Sequence, residues 1–265
     1  MKALTLLLIF GVSLPAETDQ ERGKRIVDQA LAALGGDKFL AVEDRIESGR
    51  AYSFYRGDLS GLSIATIYTR YLTRPEPPVP GFVGVRERQA FGKKEDNAVV
   101  FADGKGYDIT FRGARPLDPL LLERFKESTL QNIFYILRQR LGEPGLIFES
   151  RGMDVVDNKP VETVEIFDND GRSITVYFQT STGLPTQQRY YRRDPQGLGK
   201  VEEITLFSKY RDVGGGVMWP LAIQRYRDGE KIFEIFSESV TINQDLRDDL
   251  FLLPLDMKIL PPIKK

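Results

Sequence analysis

Apolar side chains recur at helical spacing near the start of the chain, where Ile26, Ala30, Leu31 and Leu34 share one face of "TDQERGKRIVDQALAALGG". Thr18 or Asp19 can cap this helix, Glu21 stands three residues beyond Thr18 as a capping box requires, and Gly35-Gly36 ends it. A short helical turn is predicted over 37–42. From Asp44 the pattern changes to strands. "RIESGRAYSFY", "SGLSIATIYTRYLT", "FVGVRERQAFG" and "NAVVFADGKGYDITF" place β-branched and aromatic residues between turn signals such as Arg56-Gly57-Asp58, the Pro75 to Pro80 cluster and Asp103-Gly104-Lys105-Gly106. Spacing this short suits antiparallel neighbours rather than crossover units.

A second helix interrupts. In "LDPLLLERFKESTLQNIFYILRQRLGEPG", Asp118 caps and Pro119 fits the first helical position. Leu121, Phe125, Leu130, Ile133, Phe134, Leu137 and Leu141 mark one broad apolar face before Gly142 and Pro144 end it. One continuous amphipathic helix against a sheet is the expectation. More strands follow: "LIFESRGMDVVD", "PVETVEIF", "RSITVYFQT", "PTQQRYYRR", "VEEITLFSKY", "WPLAIQRYR" and "KIFEIFSESVTI". The chain reads helix, meander, helix, meander, as one domain over 17–265.

Alternation within these strands is imperfect. Ile174, Val176 and Phe178 share a face, yet Tyr177 lies opposite; Ile232, Phe236, Val240 and Ile242 oppose Phe233 and Ile235. A sheet with one wet face splits more cleanly. A strongly curved sheet, with apolar material on both faces, accounts for the pattern.

Composition narrows the chemistry. The 265 residues carry a formal charge of −1 and contain neither histidine nor cysteine. Histidine acid–base catalysis, Ser-His-Asp triads, thiol nucleophiles and disulfides are thereby excluded, as are most zinc or copper sites. The balanced charge gives no electrostatic case for nucleic acid. At the N-terminus, "MKALTLLLIFGVSLPA" is too short to span a bilayer and stops at small residues, so residues 1–16 read as a cleaved secretory leader.

The remaining motifs resolve into turns and surface. Gly214-Gly215-Gly216 lacks the Lys-Ser or Lys-Thr of a phosphate loop and lies between strands, so it reads as a corner. "DNDGRS" (Asp168 to Ser173) has no closing glutamate for calcium and reads as a hairpin turn. Glu202-Glu203 would point to opposite faces of a strand, and Asp248-Asp249 lie in a short terminal turn, so neither forms an acid–base pair. Arg and Tyr alternate in "YTRY" and "QRYYRR", which suits cross-strand packing better than base stacking.

The turn residues carry a resemblance. Gly35-Gly36 with Gly49, Thr182-Gly183-Leu184-Pro185, Tyr210, Asp212-Val213, Gly215-Gly216-Val217 and Pro220 lead it. Asp228-Gly229, Asn243, Leu246, Phe251 and Pro254 continue it to the end of the chain. Together with the leader and the order of elements, they resemble the LolA/LolB-like superfamily of periplasmic lipoprotein carriers, in particular its outer-membrane lipoprotein-sorting-like branch. The resemblance implies an α+β fold: a strongly curved, half-open antiparallel barrel with an N-terminal helix and a central lid-like helix, enclosing an apolar cavity for acyl chains. Leu121, Phe125, Leu130, Ile133, Phe134 and Leu137 of the second helix, with Trp219, are then the candidate cavity residues. The implied protein is a non-enzymatic periplasmic carrier or binder of a lipid or acylated lipoprotein. It would be monomeric and need no metal or cofactor, with transient contacts to envelope membrane proteins as an option. The alternative is an envelope-stress sensor or scaffold of the same fold, acting through protein contacts. The superfamily's carriers gate exchange with an arginine near the cavity mouth, and the sequence alone gives that role to none of the arginines here.

Overall fold

The computed structural model describes residues 16–73, 82–194, 197 and 199–262. The leader, apart from Ala16, and the proline-rich turn lie outside the described residues. Helix α1 (Asp19–Leu34) starts on a complete capping box: Glu21 N–H donates to the Thr18 hydroxyl, and Thr18 N–H donates to the Glu21 carboxylate. A single turn, α2 (Asp37–Leu40), follows.

Two antiparallel meanders then make one sheet. The first comprises β1 (Asp44–Tyr55), β2 (Asp58–Tyr71), β3 (Val85–Phe91), β4 (Asn97–Ala102), β5 (Lys105–Thr110) and β6 (Gly113–Pro116). The second comprises β7 (Ile147–Val156), β8 (Lys159–Phe167), β9 (Ser173–Gln179), β10 (Pro185–Arg193), β11 (Lys200–Asp212), β12 (Met218–Arg227) and β13 (Glu230–Ile242). Pairing of β1 with β13 joins them into thirteen strands in the order β6-β5-β4-β3-β2-β1-β13-β12-β11-β10-β9-β8-β7. The sheet curves strongly and stays open, because its edges β6 and β7 do not pair. Strand β6 is absent from the sequence reading, since Gly-Ala-Arg-Pro has neither β-branched nor aromatic residues.

The connection from β6 to β7 must travel from one edge of the open sheet to the other, and it carries the second helical region. The expected single helix is two pieces. Helix α3 (Pro119–Leu130) is capped by Asp118, whose carboxylate accepts from Leu120 N–H. It ends at Gln131. Asn132 then caps a new start, its side-chain oxygen accepting from the N–H groups of Phe134 and Tyr135. The one-turn α4 (Ile133–Tyr135) runs into a wider π turn over Ile136–Arg140. The apolar periodicity continues across the break, which is why spacing alone reads one helix. Asn132 supplies an alternative partner for the local backbone and caps a new helical start.

The main core lies where α1 and the α4–π segment pack on β7 to β12, with Ile26, Leu34, Ile133, Leu137, Phe178 and Phe207 among its buried side chains. A smaller cluster of Ala90, Ala98, Val100, Ile109 and Ala114 packs against Leu253 and Met257 of the C-terminal tail. That tail also covers the β6 edge, where Ala114 N–H donates to Lys258 O and Leu260 N–H to Ala114 O.

Part of the two-faced reading of β13 comes from a bulge, while Phe236 lies before it on the face opposite Phe233 and Ile235. Ser48 pairs with Ser239 but Gly49 with Ser237, so Glu238 is an extra residue in the ladder. This bulge inverts the parity: Phe233 and Ile235 face inward before it, and Val240 faces inward after it. Gly49 sits at the close approach that the bulge creates. A β-carbon there would lie 2.1 Å from Phe236 O and 2.7 Å from Ser237 Cα. Gly49→Ala is therefore expected to lower stability by about 1–3 kcal/mol, read as a shift in urea midpoint. A midpoint equal to wild type would show that the strands are not so close.

The resembling turn residues meet in space. Gly35 lies against Gly216, whose carbonyl oxygen would be 3.0 Å from a β-carbon on Gly35. Asp212 accepts from the N–H groups of Gly214 and Gly216, closing the corner between β11 and β12. The Tyr210 hydroxyl donates to Pro185 O at 2.7 Å, and Asn243 accepts from Glu43 N–H at 2.8 Å. These residues hold corners of the sheet, and their role is architectural.

Candidate ligand-binding cavity

The inner face of the sheet and the crossing helices leave a cavity of about 320 Å³ between them. Its floor is a consequence of strand periodicity. Arg45, Glu47 and Ala51 face it from β1, alternate residues from Ala65 to Tyr71 from β2, and alternate residues from Val85 to Phe91 from β3. Phe207, Trp219, Ile223, Phe233 and Ile235 close the far side. The roof comprises Phe125, Ser128 and Thr129 of α3, with Asn132, Phe134 and Tyr135 beyond the break.

The roof is held unevenly. Around the break, Ile133 N–H donates to the buried Gln188 side chain at 3.0 Å and Gln131 Nε2 to Ser173 O at 3.1 Å. Tyr135 accepts from Gly84 N–H at 3.0 Å, and Gln139 Nε2 donates to the carbonyls of Leu72 and Gly84. Arg140, 2% exposed, bonds Glu143, Asp168 and the Leu130 carbonyl. Helix α3, by contrast, buries none of its residues completely. The segment after the break is fastened to the sheet, and α3 rests on it.

Of the candidate residues, Phe125, Phe134 and Trp219 line the cavity. Ile133 and Leu137 are fully buried in the main core instead, Leu130 is half-buried, and Leu121 is 47% exposed. The helix break separates them: residues before and after Gln131 no longer share one stripe. Phe134 packs edge-on to Phe207, centroids 5.0 Å apart, and at 4.7 Å from Trp219.

The sequence reading missed the cavity's polar wall. Arg45 and Glu47 are both buried and form an ion pair at 3.6 Å. The Arg45 guanidinium lies 4.0 Å over the Trp219 ring and donates to the Thr69 hydroxyl at 3.1 Å, while Glu47 accepts from Ser237. Burying such a pair costs desolvation that its own attraction barely offsets, so it is poor evidence for stability. A signal was available. The inward row of β1 is Arg45, Glu47, Gly49 and Ala51, with no large apolar side chain to fill the interior.

The other motifs fall outside this cavity. "DNDGRS" is the β8–β9 hairpin turn, in which Asp168 accepts from the N–H groups of Asp170 and Arg172. Asp248 is engaged by Arg70 and Arg86. The Arg189 guanidinium sits 5.8 Å over Tyr177, and Tyr191 donates to Glu202, both as cross-strand packing. Among the described residues no cluster of three or more acidic side chains could hold a metal ion, and no helix is long and apolar enough to cross a membrane.

No protein-family model matches the sequence, and no curated protein matches it. Solved structures do. A domain from Vibrio parahaemolyticus, described as belonging to outer membrane lipoprotein sorting, superposes with a TM-score of 0.57 at 13% identity, over 88% of this chain and 97% of that one. A DUF1329 family protein from Desulfovibrio piger gives 0.57 at 14% identity, over 89% and 98%. A LolA superfamily protein from Nitrosomonas europaea gives 0.53 at 10% identity, over 87% and 97%. Thirteen open antiparallel strands, helices on the inner face and these three superpositions give one result: in fold, the chain is LolA-like.

Proposed function

We propose that this protein is a non-enzymatic binder or carrier of acyl chains, taken from a lipid or an acylated lipoprotein, working as one domain in the periplasm of the cell envelope. The observation that carries this reading is the cavity under α3, lined by aromatic and aliphatic residues interspersed with Arg45, Glu47, Glu87, Gln89 and Arg225, and roofed by a helix with no fully buried side chain. Ligand sites are commonly concave and mostly apolar with a few polar groups, and about 300 Å³ is their lower size limit. The space holds about ten water-sized groups, enough for one medium acyl segment rather than several chains. Burying about ten methylenes yields about 8 kcal/mol before the cost of association is subtracted, so affinities should be micromolar or weaker. The polar spot at Arg45, Glu47 and Thr69 would meet an ester, amide or carboxylate oxygen. Of the arginines, Arg45 and Arg225 line the cavity, and Arg45 lies over Trp219.

Displacement of a fluorescent fatty acid by decanoate tests this, alongside native mass spectrometry of protein purified from its source envelope. Ala65→Phe, which directs a ring into the cavity from β2, is expected to weaken binding by about tenfold or more without a large change in melting temperature. Protein that is consistently ligand-free and displaces nothing would overturn the reading.

A further inference from the structure

A second cavity of about 210 Å³ lies beyond the first, bounded by Leu72, Phe82, Val83, Phe101 and Leu122. Val85 and Phe125 line both spaces. Val85 is a buried strand residue and cannot move without the sheet. Phe125 is half-buried on α3, and its ring lies flat on Phe101 with centroids 3.7 Å apart and planes 4° from parallel. Within the helix, the hydroxyls of Ser128 and Thr129 both donate to the Phe125 carbonyl. Of the two residues shared by the cavities, Phe125 is the one whose side chain can turn without moving a strand.

Resting on the reading of the first cavity as an acyl site, we propose that Phe125 sets the length of chain the protein accepts. With its ring stacked on Phe101, the two cavities are separate and a ligand ends at the partition. With the ring turned away or removed, they form one continuous channel, lined along Leu72, Phe82, Val83, Val85 and Phe101 by apolar side chains. Turning the ring away breaks its stack on Phe101, a contact that a chain crossing the partition must give up. A chain long enough to cross it gains up to about tenfold in affinity for every two methylenes that reach the second cavity.

The test compares decanoate with hexadecanoate, by calorimetry, on wild type, Phe125→Ala and Phe125→Leu. Removing the ring is expected to raise the ratio of hexadecanoate to decanoate affinity by about tenfold or more. Phe125→Leu, which keeps an apolar contact to the helix's surroundings, should move in the same direction by less and stands in if the alanine variant does not fold. Equal changes for both ligands, or no change for either, would overturn the partition while leaving the acyl site standing. If wild type binds neither ligand, the acyl site itself is wrong, and the partition falls with it.

Discussion

Asp168→Ala is expected to destabilise the protein by about 3–5 kcal/mol, measured as a fall in denaturant midpoint with little change in slope. The carboxylate has a side-chain exposure of 4% and accepts from Arg140 at 2.8 Å and Arg172 at 2.9 Å. Its other oxygen accepts from the backbone N–H groups of Asp170 and Arg172 in the β8–β9 turn. Removing it strips the buried Arg140 of one of two counter-charges and leaves two backbone donors without their acceptor. Arg140 also holds the Leu130 carbonyl at 2.7 Å, so the damage reaches the end of α3. Asp168→Asn retains an acceptor for the turn and should cost less than the alanine. A loss below about 1 kcal/mol in Asp168→Ala, the range of an exposed pair, would show that the cluster is not a buried staple.

The same group gives a pH signature. Burial alone would raise the Asp168 carboxyl, but the Arg140 hydrogen bond, the Arg172 backbone N–H and the two guanidinium charges outweigh it and hold the carboxyl below its ordinary range. A carboxyl lowered by folding stabilises the native state fully above its unfolded pKa, about 3.9, and that contribution disappears as pH falls through the lower folded value. Wild type should accordingly lose stability below about pH 4 more steeply than Asp168→Asn. Parallel acid profiles for the two proteins would contradict this assignment.

Phe134→Ala is expected to have a comparable effect, about 3–5 kcal/mol, for a different reason. The ring is 3% exposed and joins α4 to β11 and β12 through Phe207 and Trp219. Truncation removes its transfer energy and adds its volume to a space already about 320 Å³ in size. The neighbours are strand residues that cannot collapse inward, so the enlarged hole should persist. Adding decanoate should then recover part of the lost stability, because a ligand that binds only the folded state stabilises it by mass action. Phe134→Leu keeps most of the volume and should cost less than about 1.5 kcal/mol. A Phe134→Ala protein as stable as wild type would mean that the roof does not depend on this contact.

The parts legible in the sequence are those whose cause is local. The capping box of Thr18 and Glu21, the Asp-Asn-Asp-Gly turn and the corner at Gly214 to Gly216 depend on a few adjacent residues, and each stands where the sequence places it. Of the cavity, Phe125, Phe134 and Trp219 were recognisable as large apolar groups on a helix face and a strand. The break at Gln131 and Asn132 was not, because asparagine's capping bond competes with a periodicity that runs straight through it. Nor was the bulge opposite Gly49, which shifts which residues of β13 face inward.

By itself, then, the sequence determined most of the elements, though neither β6 nor the break in the second helix, together with the antiparallel order of each meander and the absence of histidine and thiol chemistry, since periodicity, turn propensity and composition act over a few residues. The tertiary structure decided where the space is and what lines it. Glu47 meets Ser237, Asp44 meets Leu246 and Arg45 meets Trp219, contacts of residues far apart in the chain that exist only once β1 and β13 close the two meanders into one curved sheet. A cavity is the region that packing fails to fill, and no short stretch of sequence encodes it. It follows from the curvature of the whole sheet and from the single connection obliged to cross its open side.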